Sequence, residues 1–462
     1  MNLSRAPVVE LGSAAAALLV YGATLAPSLT WAHWGADGGD FVTAAVTGRI
    51  PHPPGFPLYL LLARGFARLP WGDPAWRLTL LSAVLAAAAV ALVAATLRRR
   101  GASPWIALTS ALTLAFAPLF WSQALITEVY TTAAFFVALT LFCALAKQES
   151  EDRESRIIRR SRGFAVGLTW GLGISVHPTL LLLAPLWSAW LRSAQYGIRD
   201  LGAPVLGCGI GLLPYALLPL FGPWPQPWGD LRSPGGWWDV VSARLYWGYA
   251  FGLPPADWPQ RALAWAALMA RQFTPVGALA VLLGLTALWR QARSLGVGVV
   301  AALGLGSLYA IGYDTPDSLV YLAPLLPVAA WLLGEGLRRI ARWGAPQWLG
   351  PALPVVLLVW NWRALDVHHD REALDWLRRT LDAAPPYAVL VTAQDPHTFT
   401  LWYAQDVLGE RPDVLVVDRD LWVQPAYRQF VSARAGQDAV RPQDFAVGRP
   451  LCAVEVEEVR CP

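Results

Sequence analysis

The sequence predicts an α-helical polytopic membrane protein, about 11 transmembrane helices followed by a small C-terminal α/β domain. Composition is the first observation behind this: the 462 residues are 55% hydrophobic and 15% charged, with mean hydropathy +0.41, whereas soluble globular domains carry about 25% charged residues. The second is a series of apolar runs, each near the roughly 20 residues that a ~30 Å hydrocarbon core demands. The third is a change of character after Trp362, where charge density rises and the apolar runs shorten.

The runs lie near 8–27, 75–97, 103–121, 129–147, 163–177, 178–193, 201–221, 273–290, 296–312, 319–337 and 346–362. The fifth and sixth are short and parted by His177-Pro178, so they read as a kinked or partly re-entrant pair. The first lacks a small-residue cleavage site and reads as a signal anchor. Past the last run, Tyr387–Ala393 and Pro412–Asp418 read as strands, flanked by helical patterns at 370–382 and 397–408. The expected division is a transmembrane domain over 1–362, with long external loops at 28–74 and 221–272, and an α/β extracytoplasmic domain over 363–462.

Arginines set the orientation. With the N-terminus cytoplasmic, the inner segments hold 17 basic residues: Arg5, Arg98–Arg100, six within 147–162, Arg192, Arg199, Arg290, Arg293, Arg338, Arg339 and Arg342. The opposite loops hold eight, so the positive-inside rule favours this solution, and an odd number of spans places the C-terminal domain outside. The basic pI near 8.9 then reflects arginine anchors and not a nucleic-acid partner. Cys452 and Cys461 can pair in an oxidising compartment. Cys143 and Cys208 fall in apolar helices and read as small core residues. Lys147 is the one lysine. With the excess of Ala, Trp, Pro and Arg, this suggests a GC-rich bacterial genome and hence the inner (plasma) membrane.

Polar chemistry concentrates on one face. All six histidines lie outside the spans or at their outer ends, and no acidic residue stands near the centre of a span. The richest stretch, 34–59, reads WGADGGDFVTAAVTGRIPHPPGFPLY. Asp37 and Asp40 are three apart among glycines that permit a tight turn. The alternative for Asp37 is an N-cap of the helix that follows. Prolines stiffen 51–57 into an elbow that fixes His52, either as a polar contact or as a structural hinge. The amphipathic stretch 58–69 is expected in the membrane interface.

Glu128 ends an outward turn, ITEVY, where it can cap a span or position a hydroxyl. His177 is equally suited to capping a helix and to binding phosphate. Asp314 and Asp317 read as turn formers. The second long loop carries Trp224, Trp228, Trp237, Trp238, Trp247 and Trp258, by default an interfacial belt, although one or two could stack on a sugar ring. Its Arg244 could meet a phosphate through a bidentate fork.

The segments DGGDF…HPPGFPLY, PLFWSQALITEVYTTAAFF and DPHTFTLWYAQDVLGERPDVLVVD resemble the DUF2723 family, which includes a eukaryotic protein O-mannosyltransferase and is similar to the GT-C glycosyltransferases. The resemblance covers most of 10–420. It implies a GT-C-like fold and transfer of a sugar (mannose in the named relative) from a polyprenyl-phosphate donor to a hydroxyl of a protein, lipid or glycan acceptor at the extracytoplasmic face. In such enzymes an acidic residue just after the first span acts at the acceptor or coordinates a metal, and Asp37 matches that position. Asp40 stands where many relatives have Glu. His52 matches the HPPG histidine, and Glu128 the acid of EVY.

The roles assigned with it are Asp37 as base, Asp40 as its partner or a metal ligand, His52 and Arg244 near phosphate and Glu128 as orienter, with His177 a further substrate-binding candidate. A divalent cation is a candidate cofactor, held by Asp37 and Asp40 if by any residues. Two other readings stand beside this one. A transporter or flippase requires midplane polar groups and inverted repeats, and the sequence shows neither. A non-catalytic scaffold would tolerate loss of the Asp37 charge.

Overall fold

The computed structural model describes residues 7–145, 156–455 and 459–461; Arg5, Lys147 and Arg153 of the basic set lie outside them. Nineteen α-helices occur among the described residues. The first group is α1 (Val8–Thr24), α2 (Gly38–Thr47), α3 (Pro57–Ala67), α4 (Pro74–Arg99), α5 (Pro104–Ala115), α6 (Pro118–Ala124) and α7 (Tyr130–Leu145). There follow α8 (Arg156–Val176), α9 (Ala184–Ser193), α10 (Gly202–Gly211), α11 (Pro234–Val241), α12 (Trp258–Gln272), α13 (Thr274–Gln291) and α14 (Arg293–Gly312). The last are α15 (Leu326–Arg342), α16 (Ala352–Leu365), α17 (Glu372–Ala383), α18 (Asp395–Tyr403) and α19 (Pro425–Ala435).

Local chemistry sets the helix starts. Asp73 accepts from the N–H groups of Ala75 (2.8 Å) and Trp76 (3.3 Å), with Pro74 at the first helical position of α4; Ser103 and Pro104 repeat the device for α5. Pro118 cannot continue the α5 hydrogen-bond ladder, and α5 and α6 meet at 65°. Interhelical approach is set by small residues at a spacing of four. On α8, Gly167 and Gly171 face the backbone of Pro204 and Cys208 on α10, and Gly207 answers with the carbonyl of Phe164.

All eleven apolar runs fall on helical segments, but fewer meet the length of a full crossing. Among the described residues these are Pro74–Arg99, Ile198–Leu220, Arg293–Gly312 and Ser318–Arg342, or six if the bent pairs α5–α6 and Pro255–Gln291 each count once. The 178–193 run opens on a 3-10 turn, Pro178–Leu183, before α9. The chain is a multi-pass membrane protein whose spans are broken where proline removes a donor.

One large hydrophobic core runs through the helix bundle; a second lies around residues 376–454. The second core covers a four-stranded sheet of β1 (Val389–Thr392), β2 (Leu415–Asp418), β3 (Leu451–Val454) and β4 (Val459–Arg460), ordered β2-β1-β3-β4. β1 is parallel to β2 (Val389 opposite Leu415) and to β3 (Val389 opposite Leu451), while β4 returns antiparallel. A disulfide joins Cys452 to Cys461.

α4 fixes the two ends of the bundle. At its start, Thr79 bonds Thr127 (3.0 Å) and Ser82 donates to the Glu128 carbonyl (3.1 Å). Beyond its end, Arg100 binds Glu335 Oε1 at 2.8 Å, and Arg338 takes Oε2 at 2.9 Å. A 26-residue helix is about 39 Å long at ~1.5 Å per residue. The arginine-rich end and the Glu128 end are therefore a membrane thickness apart.

Candidate active site

The site grows from the loop after α1. Thr30 donates to Asp370, and His33 Nε2 meets the Leu365 carbonyl at 3.0 Å, so this loop is fastened to the chain leaving α16. His33 and Trp34 take positive φ (56° and 69°), turning the backbone sharply into α2. Asp37 occupies the cap position of α2, yet its carboxylate makes no capping hydrogen bond. The N-cap alternative is thereby set aside, and both oxygens are left for other partners.

Asp40, one turn on, is buried and engaged through one oxygen. Its Oδ2 accepts from the backbone N–H of His52 at 2.7 Å and from ring Nδ1 at 2.9 Å. The proline elbow holds His52 there: Gly55 N–H bonds the His52 carbonyl at 2.9 Å, and Gly55 and Phe56 both take positive φ. With Nδ1–H committed to Asp40, Nε2 faces Asp37 Oδ2 at 3.6 Å. Phe41 and Phe56 flank the imidazole at 5.2 and 5.0 Å, and Phe399 of α18 lies parallel to it at 6.4 Å.

The electrostatics follow from this packing. Burial pulls the His52 imidazolium down, but the charge of Asp37 together with the hydrogen bond and charge of Asp40 outweighs it, leaving His52 at about 9. Burial raises the Asp37 carboxyl above its ordinary value, the nearby His52 opposes the rise, and Asp317 and Asp40 add to it. Protein thus surrounds Asp37 closely enough to desolvate it while a third of its side chain (33%) remains accessible. Glu128 is buried with Oε2 on the Val129 N–H at 3.1 Å. Burial and then Asp37 push its carboxyl well above the ordinary range.

His177 serves as a helix cap: its Nδ1 lies 2.7 Å from Thr179 Oγ1 and accepts the Thr179 N–H at 3.3 Å. Its ring also packs on Phe56 at 5.6 Å, at the edge of the cluster. Arg244 is not brought in. It pairs with Asp239 at 3.0 Å and its side chain is 64% exposed. Ala243, at φ 53°, starts a turn that sends Arg244 outward and brings Tyr246 to His52, with ring centroids 6.3 Å apart. Tyr246 thus stands where the sequence suggested a cation.

Asp37 and Asp40 do not form a chelating pair. The His52 ring stands between them, and Asp40 Oδ2 is taken by two His52 donors. Among the described residues, no group of three or more His, Cys, Asp or Glu could hold a metal ion. The donor set does not fit the expected cation.

Two further carboxylates, Asp395 and Asp317, join the cluster electrostatically. Asp395 opens α18 just past the C-terminal end of β1, the edge where parallel sheets gather functional groups. Burial, then the charges of Asp37 and Asp418, push it up to about 7. Asp317, read as a turn former, acts electrostatically on both Asp37 and Glu128. Their signals were the strand-to-helix junction before DPHTF and the second acid of YDTPD, but nothing local tied either to Asp37.

The helix bundle shares the fold of solved GT-C structures, and the sequence is similar to protein O-mannosyl-transferases. It is similar over 96% of its length to ArnT from Cupriavidus metallidurans bound to undecaprenyl phosphate (92% of that chain, TM-score 0.60, 14% identity). It is similar over 86% of its length to an Archaeoglobus fulgidus oligosaccharyltransferase in complex with zinc and sulfate (61% of that chain, TM-score 0.52, 12% identity). Residues 37–196 match the protein O-mannosyl-transferase TMEM260 N-terminal domain, and 373–438 match TMEM260-associated domain 2. The first match contains Asp37, Asp40, His52, Glu128 and His177; the second contains Asp395.

Among curated proteins, protein O-mannosyl-transferase TMEM260 of Mus musculus is 25% identical over 432 residues, covering 85% of this chain and 60% of the relative. The Dictyostelium discoideum protein of the same description is 26% identical over 214 residues, 43% of this chain and 26% of the relative. The chain thus spans less than two thirds of the length of either.

Proposed function

We propose that this protein is a membrane glycosyltransferase that moves a sugar, with mannose the leading candidate, from a polyprenyl-phosphate donor to an acceptor hydroxyl at the extracytoplasmic face. The observation that carries the reading is the uncapped, accessible Asp37 carboxylate held beside a His52 that Asp40 locks in place. The kinship with O-mannosyl-transferases and the fold shared with ArnT, whose structure holds undecaprenyl phosphate, point the same way.

In this reading Asp37 accepts the proton of the acceptor hydroxyl as that oxygen attacks the anomeric carbon. The bond from that carbon to the phosphate oxygen breaks, and its electron pair leaves with the lipid phosphate. Asp40 acts through His52 and is a positioning residue: it fixes the ring so that the imidazolium sets the charge state of Asp37. Glu128 orients a sugar hydroxyl through a hydrogen bond. No step runs through a metal. The arginine-rich end of α4, remote from the site, is cytoplasmic by the positive-inside rule. The Cys452–Cys461 disulfide suits an oxidising side for residues 363–462.

The test is transfer of radiolabel from polyprenyl-phosphate sugars to membrane acceptors, with and without the expressed protein. Protein-dependent labelled product supports the reading. Donor binding without any product, across several sugars and acceptor-rich membranes, would sink it.

A further inference from the structure

Several arginines at the Glu128 end of the bundle have partners within the chain. Arg49 pairs with Asp406 at 2.6 Å, Arg232 with Asp230 at 3.2 Å and Arg244 with Asp239 at 3.0 Å. Arg77 and Arg261 donate to backbone carbonyls. Arg64 and Arg68, one turn apart on α3, differ: among the described residues neither forms an ion pair with a carboxylate. Like charges at this spacing repel.

Both arginines line a cavity of about 340 Å³ between α3 and the end of α2, walled also by Ala45, Val46, Gly48 and Ala67. That volume lies within the range of about 300–1,000 Å³ typical of small-molecule sites. Arg64 is held in place. Its Nη2 donates to the Gly48 and Arg49 carbonyls at 2.6 and 3.1 Å, which also screens the carbonyl end of α2 from an anion. The Phe221 ring lies against the guanidinium at 4.0 Å. The Gly222 carbonyl oxygen stands 2.6 Å from where a Cβ on Gly48 would be, so this wall is close-packed. Arg68 is exposed on the outer side. Apolar surface borders the cavity, with Val46 44% and Leu61 39% exposed, and the exposed Trp71 follows α3 just before α4 begins its span.

We propose that this cavity seats the phosphate of an anionic phospholipid that is not the sugar donor. Guanidinium groups meet phosphate oxygens through paired N–H bonds, while Val46 and Ala67 offer apolar wall to the glycerol and the first methylenes. A zwitterionic headgroup would bring its own cation to two arginines. The cavity is separate from the Asp37 site: Gly48 ends the helix that Asp37 begins, about 16 Å away at ~1.5 Å per residue. On the glycosyltransferase reading, the donor phosphate leaves the carbon attacked beside Asp37, and a phosphate held at the far end of α2 is out of that reach. The seated lipid fastens α2 and α3, the helices on either side of the His52 elbow, to the bilayer surface.

The experiment is native mass spectrometry of the full chain released from nanodiscs containing equal phosphatidylglycerol and phosphatidylcholine. Wild type should retain phosphatidylglycerol with about tenfold preference. Arg68→Ala should lower that preference several-fold and Arg64→Ala with Arg68→Ala should remove it, whereas Arg232→Ala, at a paired and exposed arginine, should leave it unchanged. Excess polyprenyl phosphate should leave the phosphatidylglycerol bound.

Equal retention of the two phospholipids, or an unaltered preference in folded Arg68→Ala protein, would overturn the proposal. Displacement by polyprenyl phosphate would do so too, by giving the cavity to the donor lipid. Arg68 is exposed, so its variant remains informative even where loss of Arg64 disturbs α2. The readout needs no turnover: selective retention by a protein that transfers nothing would remove the enzyme reading and keep the phospholipid seat.

Discussion

The carbonyl oxygen of Phe399 lies where a Cβ on Gly39 would have to stand. Gly39 sits between the two aspartates of the first loop, and Phe399 belongs to α18 of the C-terminal sheet domain. The same Phe399 ring lies parallel to His52, and the Trp31 indole donates to Thr400 at 3.1 Å. The sheet domain is therefore seated directly on the aspartate–histidine cluster, and its Asp395 shares the field of Asp37.

Gly39→Ala tests this seating. The obstructing atom is backbone, so α2 and α18 must part, and overpacking of this kind destabilises by about 1–3 kcal/mol. The expected outcome is an intact helix bundle with a lowered unfolding temperature and loss of most transfer activity, measured by a thermal shift in detergent and by label transfer. Unchanged activity at an unchanged melting temperature would show that the domain is not held there.

Asp40→Asn removes the charge that orients and protonates His52. A hydrogen bond to a charged group is worth about 1.5–3 kcal/mol, so kcat should fall with little change in donor KM. The pH profile carries the sharper signature. His52 is raised from 6.5 to about 9, so the stability from its pairing is fully present below about 6.5 and is lost as pH rises through 9. Wild-type stability should decline on that alkaline limb, and Asp40→Asn should move the limb to lower pH. A limb that stays in place would show that His52 does not titrate against Asp40.

Asp395→Asn should have opposite effects on stability and function. Its carboxyl is raised from 3.8 to about 7, so its ionisation opposes folding: the penalty is absent below the ordinary value and complete above 7. The variant should melt at a higher temperature than wild type at pH 8 and with little difference at pH 4. It should also change the pH profile of activity, because Asp395 lies in the field of Asp37. A variant less stable than wild type at pH 8 would contradict the assigned field.

Much of the bundle was legible because its signals are local. Apolar runs marked the helices and Pro178 marked one break, but the break at Pro118, with 65° between α5 and α6, fell inside the single run read at 103–121. The strands read at 387–393 and 412–418 lie over β1 and β2, whereas β3 pairs with β1 after a connection of nearly sixty residues and left no local mark. At the site, Asp37, Asp40 and His52 stood out because one short segment carries all three. Asp395 and Asp317 come from distant parts of the chain and come near the first loop only on folding. Arg244 misled because its charge was visible in the sequence, while the turn at Ala243 that directs it outward was not.

The central claim is that Asp37 is the base, and the most direct measurement is the rate of sugar transfer by Asp37→Asn at matched expression and melting temperature. The substitution preserves shape and leaves the Asp40–His52 hydrogen bonds in place. General-base catalysis contributes about 10²–10⁴-fold, so the account predicts a loss of that size across the pH range, with donor binding retained. Transfer by Asp37→Asn at the wild-type rate would contradict it and return Asp37 to a structural turn.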